Sequence, residues 1–502
     1  MAKGIKCDFD FLNVLSREKL ARIQDGTLSI LQNTGVKIMH RPTLELLAEH
    51  GAQVDFAREV AKMSENFIMD SLAKAPSAFT LKAREQDSDC NFVSGGSIIM
   101  TTAPGRHTVD LDTWETREPT RKELYDYMRV VDSLEHVDMA CAFPWAGLAG
   151  VPECMGLIEI LAAKIRVSTK GLWEGSLMDN YLFNTKLAQA TGVDLWHNTN
   201  PTSPLTFYKE SVEQIKHLSL NKQVFSITSG PLLGASAPAT IAGALALNNA
   251  DILAANAIAQ LYQPGTRTLA GGMILVLDMR TATPAFANAG GYLAESAFSQ
   301  IWRNYGLPST SNSPGWSNSK MIDYQAAYET TMGAVTMAFS GATAIAFAGA
   351  LTAELSGHPV KAIIDNDIIG MIKRILQGID VTDETLACEL IDEVGFAPNT
   401  YLAEEHTVNW FAHESFMPAV ADRLPLENWL AGGKKSLVDH GRERMAEILQ
   451  KHKQKTLSAT QEQSIEDVLN EARTYYRKTG AISDTQWKEY QASIASPNYP
   501  YA

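Results

Sequence analysis

The sequence has few cysteines and no paired spacing among them. Cys7, Cys90, Cys141, Cys154 and Cys388 are scattered over 502 residues without a CxxC. An odd, widely spaced set argues against a disulfide framework and points to a reducing compartment, so a cytoplasmic location is expected. Common catalytic signatures are missing as well. There is no GxGxxG, no P-loop lysine motif and no GxSxG elbow, and the eleven histidines form no HxH, HxxxH or HExxH. His406 and His413 are seven apart, which on a helix is roughly 10 Å, too far to share one ion. No tightly bound metal is therefore expected, although a zinc site built from distant residues would leave no such trace. Positive charge is short: 43 Lys+Arg against 57 Asp+Glu, net −14. Such a chain is a poor binder of phosphate backbones, so nucleic acid is not an expected partner.

Long apolar runs are scarce. The start, MAKGIKCDFDF, holds no stretch of signal-peptide length. Thr330 to Ala353 carries no charge and is long enough to span a bilayer. It is interrupted by Gly333, Ser340, Gly341, Thr343 and Gly349, and reads better as a buried helix running into a buried strand. No membrane association is expected.

What is present is ordinary globular composition, 45% hydrophobic and 20% charged. The length allows two or three domains, or one large α/β barrel with additions. Up to about residue 130 the pattern is a small α/β region of short strands and helices, ending in a capped helix start at Pro119-Thr120. Strands are then expected at Val137–Phe143, Arg166–Trp173, Ser203–Phe207, Val224–Thr228, Thr266–Ala270, Pro284–Ala287, Ser309–Asn312 and Thr343–Ala348, with helices between most of them. After the fourth, Ile241, Leu245, Ile252, Ala255 and Ala259 recur at spacings of 4, 7, 3 and 4, one apolar helix face. Eight alternations match a (β/α)8 barrel. The sixth strand is the least marked, and without it an open doubly wound sheet would follow. The fold class is thus α/β, a TIM barrel with an N-terminal α/β extension (1–130), the barrel (131–380), a C-terminal helical region (381–457) and a helical tail appendage (458–502).

Aromatics cluster at the expected strand ends. Trp145 follows the first strand, Trp173-Glu174 ends the second, Phe207-Tyr208 ends the third and Trp316 follows the seventh. The C-terminal strand ends of a barrel form its active-site mouth, and aromatics converging there with few cations would make a cage for a quaternary ammonium. Each aromatic could equally pack under a loop. Lys170, Arg267 and Lys320 are the cations expected near the same level, with Glu174 the carboxylate. Gly230-Pro-Leu-Leu-Gly234 reads as a tight strand-to-helix turn rather than an anion site, having no P-loop lysine.

Several runs carry a resemblance: Gly234-Ala-Ser-Ala-Pro-Ala-Thr-Ile-Ala-Gly-Ala-Leu, Asn249-Ala-Asp-Ile-Leu-Ala, Gln260-Leu-Tyr-Gln-Pro-Gly, Asn200-Pro-Thr-Ser-Pro-Leu and Ser319-Lys-Met-Ile-Asp-Tyr-Gln-Ala-Ala-Tyr-Glu. With Pro104-Gly-Arg and Glu405-His406-Thr407, they resemble the trimethylamine methyltransferase superfamily over nearly the whole chain to about residue 450. The resemblance implies a TIM barrel that moves a methyl group from an amine to the Co(I) corrinoid (cobalamin) of a separate small protein. Founding members carry pyrrolysine near the seventh strand, whereas this chain has ordinary residues throughout Ser309–Lys320. It therefore resembles the branch without pyrrolysine, whose members demethylate quaternary amines such as glycine betaine, proline betaine, carnitine and γ-butyrobetaine.

The expected enzyme is thus a quaternary amine:corrinoid protein methyltransferase, acting on glycine betaine or proline betaine, with a cognate corrinoid protein as partner and a homo-oligomer compatible with the reading. Trp145, Trp173, Phe207, Tyr208 and Trp316 are expected at the ammonium end, with Glu174 nearby, and Arg267 or Lys320 at the carboxylate end. On the eighth strand Phe347 stands in the region where the resemblance places a histidine of the glycine betaine enzymes, which would favour a bulkier or more apolar betaine. Carnitine, γ-butyrobetaine or another methylated amine is the alternative within the family. A non-catalytic quaternary-amine binding protein and a metal-dependent barrel hydrolase are the alternatives from other classes.

Overall fold

The computed structural model describes residues 3–103, 105–141, 144 and 147–501. Eight strands close into a barrel: β1 (Ile99–Thr102), β2 (Met139–Ala140), β3 (Gly171–Glu174), β4 (Leu195–Thr199), β5 (Val224–Thr228), β6 (Thr268–Gly272), β7 (Ser309–Ser311) and β8 (Ala344–Ala348). Neighbours run parallel all the way round, β8 pairing with β1. Each strand is followed by a helix: α1 (Arg121–Ser133), α2 (Glu153–Val167), α3 (Tyr181–Thr191), α4 (Lys209–Leu220), α5 (Ile241–Tyr262), α6 (Ala289–Asn304), α7 (Tyr324–Phe339) and α8 (Pro359–Leu376). The α1 start is set as expected, by a capping box in which Thr120 and Glu123 satisfy each other's backbone N–H. The uncharged stretch from Thr330 resolves into the end of α7, a turn and β8.

The eightfold alternation holds, but two expected strands are not staves. Thr206–Phe207 is a strand that pairs in parallel with Val36–Ile38 of the N-terminal region. The true fourth stave is Leu195–Thr199, whose polar end, His197-Asn198-Thr199, hid it from a search for apolar runs. Thr283–Ala285, at the expected sixth strand, pairs antiparallel with Leu275–Asp278 on the barrel rim, a place that suits Pro284 because a proline cannot donate to an interior ladder. The eighth stave comes from the other end. Ile99–Thr102 is β1, separated from β2 by a rim hairpin and α1, so the barrel begins at residue 99 and not at 131.

Additions close both ends. The hairpin Ala78–Leu81/Cys90–Val93 seals the N-terminal end. Its Phe92 ring meets Trp196 edge-on at 5.8 Å, and a Cβ on Gly171 would touch Cys90 Sγ at 3.2 Å. At the C-terminal end the loops after β1, β5, β6 and β8 form two small sheets that wall the mouth. The helix α5 has no polar face. Every residue from Ala244 to Gln260 is buried, because the helix Arg17–Ser29 and the helix Glu65–Leu72 cover its outer side. It is the one helix among the described residues long and apolar enough to cross a membrane, and 78% of its apolar window is buried in the protein.

The tail is not an appendage. Ala459–Lys478 packs on α2 and α3, burying Ile465, Leu469 and Ala472. Asp484–Ile494 delivers Tyr490, fully buried, to Glu159 of α2. Glu159 also accepts from Arg121 Nε at 2.8 Å, and Arg473 Nε donates to the Tyr490 hydroxyl at 3.2 Å. Between the barrel and this tail, the helices Glu405–Glu414 and Leu426–Ala431 bury no residue within the chain.

Candidate active site

A cavity of about 310 Å³ opens at the C-terminal end of the barrel. Residues at or just after the ends of seven strands reach it: Cys141 from β2, Trp173, Gly175 and Ser176 from β3, Asn198 and Asn200 from β4, Thr228 from β5, Met273 from β6, Asn312 and Trp316 from β7, and Glu354 from β8, with Leu157 from α2. The volume is at the small end for ligand pockets. Its walls differ in chemistry.

One wall is aromatic. Trp173 and Trp316 are 4% and 3% exposed. Trp173 stacks on Trp196 with centroids 4.5 Å apart and planes 14° off parallel. Its indole N–H is buried with no partner among the described residues. Trp316 meets Phe286 edge-on at 5.3 Å. Its loop is pinned by Glu329 of α7, which accepts from Ser317 Oγ at 2.6 Å and from the Asn318 N–H at 2.9 Å.

The facing wall is a network of amides and hydroxyls. Asn198 Oδ1 accepts from Ser226 Oγ at 2.8 Å and Thr228 Oγ1 at 3.1 Å. Thr228 Oγ1 accepts from Asn312 Nδ2 at 3.2 Å, and Asn312 Oδ1 accepts from Thr310 Oγ1 at 3.1 Å. Asn198 Nδ2 donates to Asn200 Oδ1 at 3.0 Å, and Asn200 Nδ2 to the Thr228 carbonyl at 3.1 Å. Alternation along β4, β5 and β7 turns these groups inward.

Glu354 is the one charged residue on the cavity wall among the described residues, and burial raises its carboxyl above the usual range. No histidine lines the cavity, and no cluster of His, Cys, Asp or Glu suited to a metal occurs among the described residues. His197 of β4 is fully buried, and burial pushes its imidazole down to about 3, so it is neutral. Such a site can orient a small cation and exclude water, but it holds no acid–base dyad among the described residues. A separate surface cleft of about 400 Å³ lies between the rim and the helix Leu437–Lys451. Both of its arginines are paired internally, Arg117 with Glu123 and Arg442 with Asp112.

Of the expected site residues, the structure brings Trp173 and Trp316 together. Trp145 lies outside the described residues. Glu174 alternates outward from Trp173 and pairs at 2.7 Å with Lys164 of α2, both fully buried; Lys164 also donates to the Trp173 carbonyl at 2.7 Å. Phe207 is buried in the apolar core shared with the N-terminal region, and Tyr208, 48% exposed, precedes α4. Phe347 points outward from β8 into the helix layer, with Lys361 Nζ 5.8 Å from its ring centroid. Arg267 precedes β6 and so sits at the opposite end of the barrel, bonded to Asp194 Oδ2 at 3.0 Å and the Lys222 carbonyl at 3.0 Å. Lys170 likewise precedes β3, its ammonium held by the carbonyls of Leu134 and Val137. Lys320 is exposed and donates to the Asn318 carbonyl. Asn198, Asn200, Thr228, Asn312, Met273, Ser176 and Glu354 were not expected. The signal for the first four was a polar residue at or just past the end of an apolar strand, legible once the strands are placed correctly.

The family model described as trimethylamine methyltransferase (MTTB) matches residues 1–475. Trimethylamine methyltransferase MttB of Desulfitobacterium hafniense (strain DSM 10664 / DCB-2) is 28% identical over 473 residues, 92% of this chain and 94% of that one. A glycine betaine methyltransferase of D. hafniense (strain Y51) is 25% identical over 428 residues, 83% of this chain and 88% of that one. Among solved structures, the monomethylamine methyltransferase MtmB of Methanosarcina barkeri aligns with a TM-score of 0.48 at 12% identity, covering 88% of this chain and 90% of its own.

Proposed function

The chain belongs to the trimethylamine methyltransferase family, and we propose that it takes a methyl group from a betaine-type quaternary amine, glycine betaine or proline betaine, and passes it to the Co(I) of a cognate corrinoid protein. The observation that carries this reading is the cavity itself: two indole rings, one carboxylate and no cation on its wall among the described residues. Aromatic faces attract a quaternary ammonium through the ring quadrupole. The amide and hydroxyl wall offers neutral donors for a carboxylate at the other end.

The chemistry suits a site without an acid–base dyad. In a quaternary donor the nitrogen is already cationic, so when the methyl C–N bond breaks its electron pair stays on nitrogen and a neutral tertiary amine leaves. No proton has to move. The corrinoid would supply the nucleophile, and this chain the orientation and the dry surroundings. Trp173 and Trp316 would hold the ammonium with one methyl toward the open mouth. They must not hold it too tightly, since its charge fades in the transition state. No step requires a metal bound by the barrel.

One observation favours a second reading within the same chemistry. Arg267 and Lys320 do not reach the cavity, so a methylated amine whose far end is neutral would also fit. Reduced cob(I)alamin, with and without a cognate corrinoid protein, should be mixed with glycine betaine, proline betaine, carnitine, γ-butyrobetaine, choline and trimethylamine. Decay of the cob(I)alamin spectrum together with appearance of the demethylated amine, with glycine betaine or proline betaine alone, is the expected result. Reaction with choline alone would select the second reading. No reaction with any donor in the presence of the corrinoid protein would remove both and favour a binding protein.

A further inference from the structure

The cavity's carboxylate is presented by an unusual piece of backbone. Thr352 and Ala353, the two residues before Glu354, both lie in the left-handed region, at φ 54° and 61°. Residues with a Cβ are strained in that conformation, and consecutive cases persist only where the surroundings over-determine them. Here they do. The Thr352 N–H donates to the Ser319 carbonyl at 2.8 Å, and the Ala353 N–H donates to the Ser317 carbonyl. The Glu354 carbonyl accepts from the Arg106 N–H at 3.0 Å. Ser317 follows Trp316 directly and is tied by its hydroxyl to Glu329. The loop that carries the aromatic wall and the loop that carries the carboxylate are thus one clamped unit, and the clamp sets the side chain of Glu354 on the cavity wall.

From this we infer that Glu354 is the specificity-determining counter-charge of the site: it selects a cationic methyl donor over a neutral molecule of the same shape, with Trp316 set against the same group by the shared clamp. The inference rests on the proposed reaction for its donor class, but it assigns a role that the aromatic rings alone would not fill. Ring faces bind both the ammonium and its carbon isostere, the second by apolar contact, whereas a carboxylate distinguishes them by charge. Glu354 is also neither a proton donor nor an acceptor in the transfer, since no proton moves.

The test compares binding of three probes by calorimetry, in the wild type, Glu354→Gln and the charge-retaining Glu354→Asp. The probes are tetramethylammonium, glycine betaine and 3,3-dimethylbutanoate, the last being glycine betaine with carbon in place of nitrogen. In the wild type the two cationic probes are expected to bind at least about tenfold more tightly than the isostere. Glu354→Gln should lower that preference by about tenfold while leaving isostere binding unchanged or improved, and Glu354→Asp should keep part of it. If Glu354→Gln retains the full preference, the rings alone discriminate and the inference is wrong. If the variant weakens all three probes equally while Glu354→Asp restores them, Glu354 shapes the pocket rather than selecting charge, and the inference is again overturned. Failure of both tetramethylammonium and glycine betaine to bind the wild type would bring down the quaternary-amine reading itself, a result distinct from the other two.

Discussion

The hydroxyl of Thr228 stands where a side chain at position 271 would begin. A Cβ on Gly271 would lie 1.9 Å from Thr228 Oγ1 and 2.8 Å from the Ile227 carbonyl oxygen. Gly271 is in the middle of β6, at the stave next to Thr228, and its lack of a side chain is what lets Thr228 reach Asn198 and Asn312. Gly271→Ala should therefore push Thr228 out of the polar wall. A stability loss of about 1–3 kcal/mol is expected from overpacking, and donor turnover should fall more than melting temperature would suggest. The double variant Gly271→Ala with Thr228→Ala removes the 1.9 Å contact but keeps the one at 2.8 Å to the Ile227 carbonyl, so it should recover part of the stability and none of the turnover. Thermal melts and the cob(I)alamin assay on the three proteins measure both; recovery of turnover in the double variant would dissociate the hydroxyl network from function.

Trp316 is the second wall whose removal has a defined signature. Trp316→Phe keeps a ring against Phe286 and should raise the donor KM by roughly threefold to tenfold, since phenylalanine binds cations more weakly than tryptophan. Trp316→Ala should leave a cavity costing about 3–5 kcal/mol and abolish turnover at accessible donor concentrations. Steady-state kinetics alongside melting curves separate the two effects. Unchanged KM in Trp316→Phe would take the indole out of the donor site.

The barrel was readable from the sequence because alternating apolar segments give strands and helices their periods. Most of the readable staves are those apolar on both faces; the polar stave Ser309–Ser311 was expected all the same. Leu195–Thr199 was missed because its inward residues at the mouth are polar by function, and polar strand ends look like loops. Ile99–Thr102 falls within the short strands and helices expected of the N-terminal region, outside the expected barrel, because the rim hairpin and α1 separate it from β2. The site suffered most from side-chain direction. Arg267 and Lys170 stand just before the starts of β6 and β3, a full strand away from the mouth, whereas Glu174 and Phe347 are each displaced by one residue onto the outer face of the right strand. Period two turns such a one-residue displacement into the opposite side of a wall. Glu354 was out of reach for a different reason: its position depends on two left-handed residues that no propensity would assign to Thr352 and Ala353.

The C-terminal tail has a structural role that can be measured apart from the site. Tyr490 donates to Glu159, which is buried with Arg121 and would otherwise lose one of its bonds. Tyr490→Phe should cost about 1–3 kcal/mol, the usual consequence of leaving a buried polar group short of a partner. Removing residues 458–502 should be far worse, since it strips the cover from α2 and α3. Urea denaturation of Tyr490→Phe and the soluble yield of the truncated chain are the measurements. A truncated chain as stable as the full one would restore the view of the tail as an appendage.

Glu295 gives a pH dependence whose sign can be stated in advance. It lies on α6, fully buried, accepting from the hydroxyls of Ser311 on β7 and Ser313 just after it. Burial, the largest cause, holds its carboxyl up to about 7, against 4.5 for an ordinary glutamate, while the two serines pull it down. Between those values the native state binds more protons than the unfolded chain, so this group's contribution to stability falls as pH rises and is fully lost above about 7. The span corresponds to about 3 kcal/mol at most. Glu295→Gln removes the titration and leaves an amide that can still bond both serines, so the variant should gain on the wild type from pH 5 to about pH 7 and level off toward pH 8. Asp251, also held up to about 7 by burial, titrates over a similar window in both proteins, so the variant's own curve should keep part of the slope. Urea denaturation at pH 5, 6, 7 and 8 gives the comparison. A difference between the two proteins that stays constant across that range would mean that Glu295 does not titrate there, and that its tie to Ser311 and Ser313 holds β7 in a single charge state.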